Sequence, residues 1–328
     1  MARKSAVKTQ KIGVDIGRGF VKAFTDCGED TIHTDKPNTK HVIFKAIQGE
    51  GKKIDKYPNP KKAIDITLDG EHLFIGELAE KECYNPLSNT SHSKTTPTAR
   101  KLLGAVLSEL ATEENVSIIL GVPYQIYTQT ELQKIKKNYL NRTFDITNNI
   151  TGENKKVTIK HIDIMKEANA VVYWELRKEL LDIPHEEIFK KPIGVVNIGF
   201  RTTEISYFDK GFAEIDKRSG TIEFGNSTIL QAISDEILKE TGLNIELPEI
   251  DDSEEYEEKK KRAYENASER VQQDVEKKWI NVSPNYMTIY VAGGTSKRLK
   301  FDNGFKKIKN AQLATAMGLY LRACHQFK

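Results

Sequence analysis

The chain has 328 residues, 38% of them hydrophobic, with 50 basic and 47 acidic residues and a net charge of +3. That length accommodates two ordinary domains with separate cores, and the near balance of charge argues against direct nucleic-acid binding through a concentrated basic face. No apolar run approaches the ~18 residues that span a bilayer; "MARKSAVKTQK" lacks the apolar core of a secretory signal; and Cys27, Cys83 and Cys324 show no metal or disulfide spacing, which favours a reducing, cytoplasmic setting.

Residues 1–10 read as a short mobile tail. Strand-like alternation follows through Ile12–Val14 and again through Phe20–Phe24, with Asp15, Gly17 and Gly19 at the turn. A polar, Lys- and Pro-rich stretch from about Asp35 to Lys62 separates this pair from "AIDITLDGEHLFIGELA", where Asp69-Gly70 predicts a hairpin turn. Thr96-Pro97 reads as an N-cap with proline at the first helical position, and Leu102, Leu103, Val106, Leu107 and Leu110 recur at helical spacing. "VSIILGVPYQIY" predicts a buried strand ended by Gly121 and Pro123, with a charged helix from about Gln129. A hairpin turning near Gly152 leads to "VTIKHIDIMKEANAVVYWELRKELL", a strand running straight into a helix.

"IGVVNIGF" and "TTEISYF" predict two more strands, and from about Asn226 the chain reads as helical. In its most charged part Tyr264, Ala267, Val271 and Val275 form one apolar stripe, which makes the charge run a solvated helix face. "YMTIYVAGGTSKRL" is a buried strand entering a glycine turn, and "NAQLATAMGLYLRAC" closes the chain as an amphipathic helix.

A buried carboxylate without a partner is costly, so Asp15 needs an explanation. Either the stretch is an ordinary hairpin, or its carboxylate and backbone amides hold something charged. A polyphosphate with Mg²⁺ needs amides aimed at the phosphates, a carboxylate near the metal and a cation. Gly17 and Gly19 permit close backbone approach, Asp15 would hold Mg²⁺ through water, and Lys22 supplies the cation. Neither the Walker A pattern nor the Rossmann fingerprint is present. The plan is repeated, however: "GVVNIGFRTTEISYFDKGF" echoes "GVDIGRGFVKAFTDCGE", and Gly293-Gly294 in "VAGGTSKR" adds a third glycine turn after a strand. Such an internal repeat points to two related domains.

On these motifs the chain resembles the superfamily of actins, sugar kinases and heat-shock-chaperone ATPases, and within it the ParM-type bacterial actins that segregate plasmids. "DIGRGFVK" is similar to the first phosphate loop, "NIGFRTTE" to the second and "AGGTSKR" to the adenosine loop, while "IMKEANAVVY" resembles the segment that orients the attacking water. The resemblance implies an α/β fold of two related domains with ribonuclease-H-like, five-stranded cores around a nucleotide cleft. Domain I would take residues 11–190 and 311–328, with a small lobe at about 39–87; domain II would take 191–310, with a small lobe at about 225–284. It also implies Asp15 and Asn197 near the metal, and Glu167 as the water-orienting residue. The nucleotide would be bound by Gly17, Arg18, Gly19, Phe20 and Lys22, by Gly199, Phe200, Arg201, Thr202 and Gly225, and by Gly293, Gly294, Thr295 and Lys297. Asn197 departs from the family's second metal-proximal aspartate, which removes a negative charge, and Arg18 stands where actin has a small hydroxyl residue.

The expected function is a cytoplasmic, actin-like ATPase that polymerises with Mg²⁺ and ATP (GTP being the other nucleotide to consider). It would segregate plasmid DNA through a DNA-bound adaptor of ParR type, without gripping DNA or membrane itself. The alternative is a phosphotransferase of the sugar-kinase branch, which needs an acceptor pocket with a carboxylate base. A chaperone ATPase would need a peptide-binding domain after Lys328, and a membrane-bound actin an amphipathic anchor that the N-terminal tail is too polar to form.

Overall fold

The computed structural model describes residues 8–26, 39–177, 190–279, 283, 285–302 and 304–327. The expected N-terminal tail lies largely outside them, as does Cys27. The chain divides into two compact units, residues 1–178 with 315–328, and residues 179–314.

The first unit opens with β1 (Thr9–Ile16) and β2 (Phe20–Asp26), an antiparallel hairpin in which Asp15 lies opposite Lys22. β3 (Thr39–Lys45) then pairs with β2, and β4 (Ile47–Glu50) follows at once. Both lie inside the stretch expected to be a polar separator. The Lys- and Pro-rich composition hid "KHVIFKAIQGE", whose alternating apolar positions are enough for strands that find partners elsewhere in the sheet. β5 (Ile64–Leu68) and β6 (Glu71–Ile75) form the expected hairpin, with Asp69 at φ 50° and Gly70 at φ 86°, the left-handed pair that a tight two-residue turn requires.

α1 (Glu77–Glu82) and β7 (Leu87–Ser88) lead to α2 (Pro97–Leu110), capped by Thr96, whose hydroxyl accepts from the Ala99 amide at 3.1 Å. β8 (Asn115–Val122) runs parallel to β1, α3 (Gln129–Tyr139) follows, and β9 (Thr143–Asn148) returns into β10 (Asn154–Lys166). α4 (Glu167–Glu175) begins at the next residue. The ten strands form one sheet, ordered β3-β2-β1-β8-β10-β9-β5-β6-β4-β7, with α2 supplying its buried leucines to the main core.

The second unit repeats the first half of that order. β11 (Ile193–Ile198) and β12 (Thr203–Asp209) are the hairpin, β13 (Ala213–Glu214) and β14 (Gly220–Ile222) both pair with β12, and β15 (Thr288–Ala292) and β16 (Phe305–Lys307) continue in parallel from β11. Between β14 and β15 come α5 (Asn226–Thr241), α6 (Leu247–Asp252) and α7 (Glu257–Lys278). The stripe of Tyr264, Ala267, Val271 and Val275 is buried on one face of α7, as its spacing predicts.

α8 (Ala314–Gln326) completes the first unit. It was expected to be amphipathic, but residues on most of its faces are buried, among them Met317, Leu319, Tyr320, Leu321 and Ala323. Backbone-close packing explains this: a Cβ at Gly13 of β1 would come within 2.2 Å of the Tyr320 amide, and one at Gly318 within 1.8 Å of the Ala170 carbonyl of α4. The helix is wedged between β1 and α4. Gly121 is likewise not a strand terminator: it lies inside β8, where a Cβ would meet Leu319 at 2.9 Å and the Glu167 side chain at 3.3 Å.

Candidate functional site

In the first unit the β1–β2 turn is held from its carbonyl side. The Gly17 amide donates to the Phe20 carbonyl at 3.0 Å, the Ala46 amide donates to the Gly19 carbonyl at 2.8 Å, and the Asn89 side-chain amide donates to the Gly17 carbonyl at 3.0 Å. Lys94, only 3% exposed, donates through Nζ to the Ile16 carbonyl at 2.6 Å. The turn containing Gly17, Arg18, Gly19 and Phe20 is therefore fixed by three separate segments, so its backbone is preorganised.

Asp15 is 3% exposed, and its Oδ2 accepts from Lys22 Nζ at 2.8 Å. Its other oxygen, Oδ1, is buried with no hydrogen-bond partner among the described residues. Orphaned buried carboxylate oxygens are uncommon and call for a missing partner. Glu167, the first residue of α4, stands beside this pair: its Oε1 is 3.5 Å from Lys94 Nζ and its side chain is 14% exposed. Burial pushes the Glu167 carboxyl above the ordinary range, the negative charge of Asp15 pushes it further, and Lys94 and Lys22 pull against both. Asp15, Lys22, Lys94 and Glu167 thus make one cluster of two acids and two lysines.

Lys94 escaped the sequence reading. It lies in "SHSKTTPT", which carries only the signal of the coming N-cap, and a lone lysine there reads as exposed.

In the second unit the β11–β12 turn follows the same path. Asn197 lies opposite Glu204, as Asp15 lies opposite Lys22, and the Gly199 amide donates to the Thr202 carbonyl at 2.8 Å. Its carbonyl side is held by the start of α5, where the amides of Asn226 and Ser227 donate to the carbonyls of Gly199 and Phe200 at 3.2 and 2.7 Å. Thr295 Oγ1 also donates to the Gly199 carbonyl, at 2.8 Å. Gly225, preceding α5, lies so close that a Cβ would sit 2.6 Å from the Phe200 carbonyl. The Phe200 ring packs on the cluster of Leu230, Ile233, Ile237 and Ile250, while Arg201 and Thr202 are half-buried.

Gly293 has φ 90°, and a Cβ there would meet the Ile198 carbonyl at 2.1 Å, so the third glycine turn locks β15 against the end of β11. A Cβ at Gly294 would meet the Gln312 side chain at 3.6 Å, and Lys297 Nζ donates to that side chain's oxygen at 2.9 Å. Beyond this turn lies a cavity of about 310 Å³, lined in part by Asp251, Lys260, Tyr264, Ser268, Arg298 and Lys300. Arg298 pairs with Asp251 and donates to the Tyr264 hydroxyl at 2.6 Å, which itself donates to Asn226 Oδ1 at 2.7 Å. The glycine pair borders this cavity in sequence without lining it.

A magnesium ion fits these donors on one count in particular: the orphaned Asp15 Oδ1 can accept from a water of the metal's shell. No group of three or more His, Cys, Asp or Glu residues that could cage a metal occurs among the described residues. Mg²⁺ does not need one, since it commonly keeps its waters and uses one or two carboxylates with substrate phosphates.

Two sheets, the second repeating the strand order of half of the first and each led by a hairpin with a glycine turn, define the fold of the actin-like ATPases. A family model described as the N-terminal domain of actin-like proteins matches residues 13–169, and one described as the C-terminal domain of archaeal MreB-like actin homologues matches residues 195–302. The chain belongs to the actin-like superfamily. No curated protein sequence matches it.

Among solved structures, the archaeal actin homologue Ta0583 is similar at 18% identity, with 97% of this chain and 100% of that chain covered and a TM-score of 0.78. Its complex with ADP aligns over 97% and 100% of the two chains at 17% identity and a TM-score of 0.74. The ParM of a 15-stranded filament from Clostridium botulinum aligns over 97% and 99% at 16% identity and a TM-score of 0.78.

Proposed function

We propose that this chain is an actin-like ATPase that assembles into filaments with Mg·ATP and segregates plasmid DNA through a DNA-bound adaptor. The observation that carries the nucleotide reading is the cluster around the first turn: a preorganised glycine loop, an acid with one oxygen unpartnered, a lysine across the strand and a second acid at the start of α4. The β1–β2 turn would aim its backbone amides at the phosphates. The bound metal would supply positive charge to neutralise them. Lys22, with two donors left after pairing to Asp15, would bind phosphate oxygen. Glu167 would orient the attacking water and accept its proton, a task suited by a carboxyl that burial and Asp15 hold above the ordinary carboxylate range. The cavity lined by Arg298 and Tyr264 would take the nucleoside.

The filament reading is supported by the fold shared with a ParM filament protein. A head-to-tail contact that does not close on itself would give an open polymer. The adaptor reading rests on that kinship and on a net charge of only +3. Among the described residues no helix is long and apolar enough to cross a membrane.

Light scattering and pelleting with and without Mg·ATP test the proposal. Nucleotide-dependent pelleting, with filaments by electron microscopy, is expected. Sugar-stimulated phosphate transfer without assembly would overturn it. Co-pelleting of plasmid DNA only when its adaptor is added checks the last part.

A further inference from the structure

Of the four charges around the first turn, that of Lys94 is the hardest to explain by packing. It is 3% exposed, and burying an ammonium is costly unless a counter-charge compensates it. Holding the Ile16 carbonyl does not call for a charge. The neutral side-chain amide of Asn89 holds the Gly17 carbonyl of the same turn at 3.0 Å. The lysine is also braced from behind by α3. The buried Tyr139 hydroxyl donates to the Lys94 carbonyl at 2.5 Å, and Ser93 Oγ donates to Glu131 Oε1 at 2.5 Å. Two residues on, Thr96 caps α2. From this fixed base Nζ reaches two more elements, the Ile16 carbonyl at the end of β1 and the Glu167 carboxylate at the start of α4.

Glu167 is the partner for which a charge is needed. Lys22 is committed to Asp15 at 2.8 Å, and Lys94 is the lysine paired with Glu167, at 3.5 Å. Burial and then the charge of Asp15 drive Glu167 towards its protonated form, in which it could not take a proton from water; Lys94 opposes both. We propose that Lys94 is a positioning residue: its ammonium ties the Glu167 carboxylate to the first turn and so sets the aim of the group that orients the attacking water. This assignment rests on the nucleotide reading above, and every residue in it belongs to the first unit. Lys94 acts through Glu167, so its loss should be felt in turnover and not in nucleotide binding.

Turnover and ADP binding, measured separately, test it. Lys94→Met keeps the length of the side chain and removes its charge. Its kcat for ATP should fall by ~10- to 100-fold, the size of one hydrogen bond to a charged group expressed as a rate. ADP affinity by titration calorimetry should stay within about twofold of the parent, as for a group that acts only in the transition state. Lys94→Arg, which retains the charge, should recover most of the rate. In a Glu167→Gln background Lys94→Met should cost nothing further, because the carboxylate it aims is gone. A lysine that only braces the turn would weaken ADP binding and slow turnover equally with or without the Glu167 carboxylate; either result overturns the assignment. Urea melts of the nucleotide-free chain give a check without turnover. Lys94→Met/Glu167→Gln should lose less stability than the two single losses added, since it leaves Asp15 and Lys22 paired with no charge in excess; additive losses count against the pair. Should Lys94→Met not fold alone, the double variant carries the test: turnover equal to that of Glu167→Gln supports the assignment, and a further tenfold drop overturns it. A parent chain that binds no ADP would remove the nucleotide reading and this one with it, whereas ADP binding with parent-like turnover in Lys94→Met removes this one alone.

Discussion

The β1–β2 and β11–β12 hairpins use one backbone plan and differ in the charge that holds it. Both turns close with an amide-to-carbonyl bond two residues past the polar position, at 3.0 and 2.8 Å. The first adds charge to neutral donors: besides the Ala46 and Asn89 amides, Lys94 donates to the Ile16 carbonyl and Lys22 to Asp15. The second is anchored by neutral donors, the first amides of α5 and the Thr295 hydroxyl. The difference teaches that a repeat preserves backbone path more readily than side-chain chemistry, because the path is set by strand pairing and glycine turns. The first hairpin sits in a four-charge cluster with Glu167. That makes it the half suited to proton transfer and the half whose stability should respond to charge.

The largest expected break in the comparison comes from Glu167, which has no counterpart on the second hairpin. Glu167→Gln should slow ATP turnover by ~10²–10⁴-fold with little change in nucleotide affinity, because a residue that orients water acts in the transition state. Filaments should form on ATP and persist, as phosphate release and pelleting time courses would reveal; normal disassembly would reduce Glu167 to a structural residue in the first turn of α4.

Next in size is Lys22→Met, which strips a buried acid of its partner. It should cost about 3 kcal/mol of unfolding free energy at neutral pH. Asn197→Ala on the second hairpin removes no charge and should cost only about 1 kcal/mol. Urea melts of the two variants check the ratio, and equal losses would mean that the charge contrast does not matter to stability.

Smaller still, Thr295→Val deletes one neutral hydrogen bond to Gly199 and should cost about 1 kcal/mol. Its effect should be the same at every pH, whereas that of Glu167 should not. The folded-state pKa of Glu167 lies above its unfolded value, so its share of stability is fully present below the ordinary carboxylate range and is lost as pH rises through the raised value. Relative to Glu167→Gln, the parent should lose stability progressively as pH climbs across that window. Melts of both proteins at matched pH values would show curves that diverge upward in pH; parallel curves would remove the electrostatic account of this cluster.

Much of the molecule was legible from local pattern. Asp69-Gly70 can only be a tight turn between two alternating runs, Thr96-Pro97 marks a helix start, and the stripe from Tyr264 to Val275 names its own buried face. The glycine turns at Gly17, Gly199 and Gly293, and the placing of Asp15 at a strand end, follow from the same chemistry of neighbours in sequence. These features depend on a few adjacent residues, and the sequence by itself determined them.

What only the tertiary structure decided depends on partners far along the chain. Composition cannot show that "KHVIFK" finds an edge on β2, because pairing energy comes from the other strand. Nothing local distinguishes Lys94 from a solvated lysine until the Ile16 carbonyl and Glu167 stand beside it. The closing helix has one-sided spacing, yet β1 and α4 bury it further, since Gly13 and Gly318 let backbones approach where side chains would forbid it. Glu204 was in view in "NIGFRTTE", but its relation to Asn197 is a matter of register across the hairpin. Register and burial are set by the whole sheet, and that is why the charge of the second hairpin emerges only once its strands are paired.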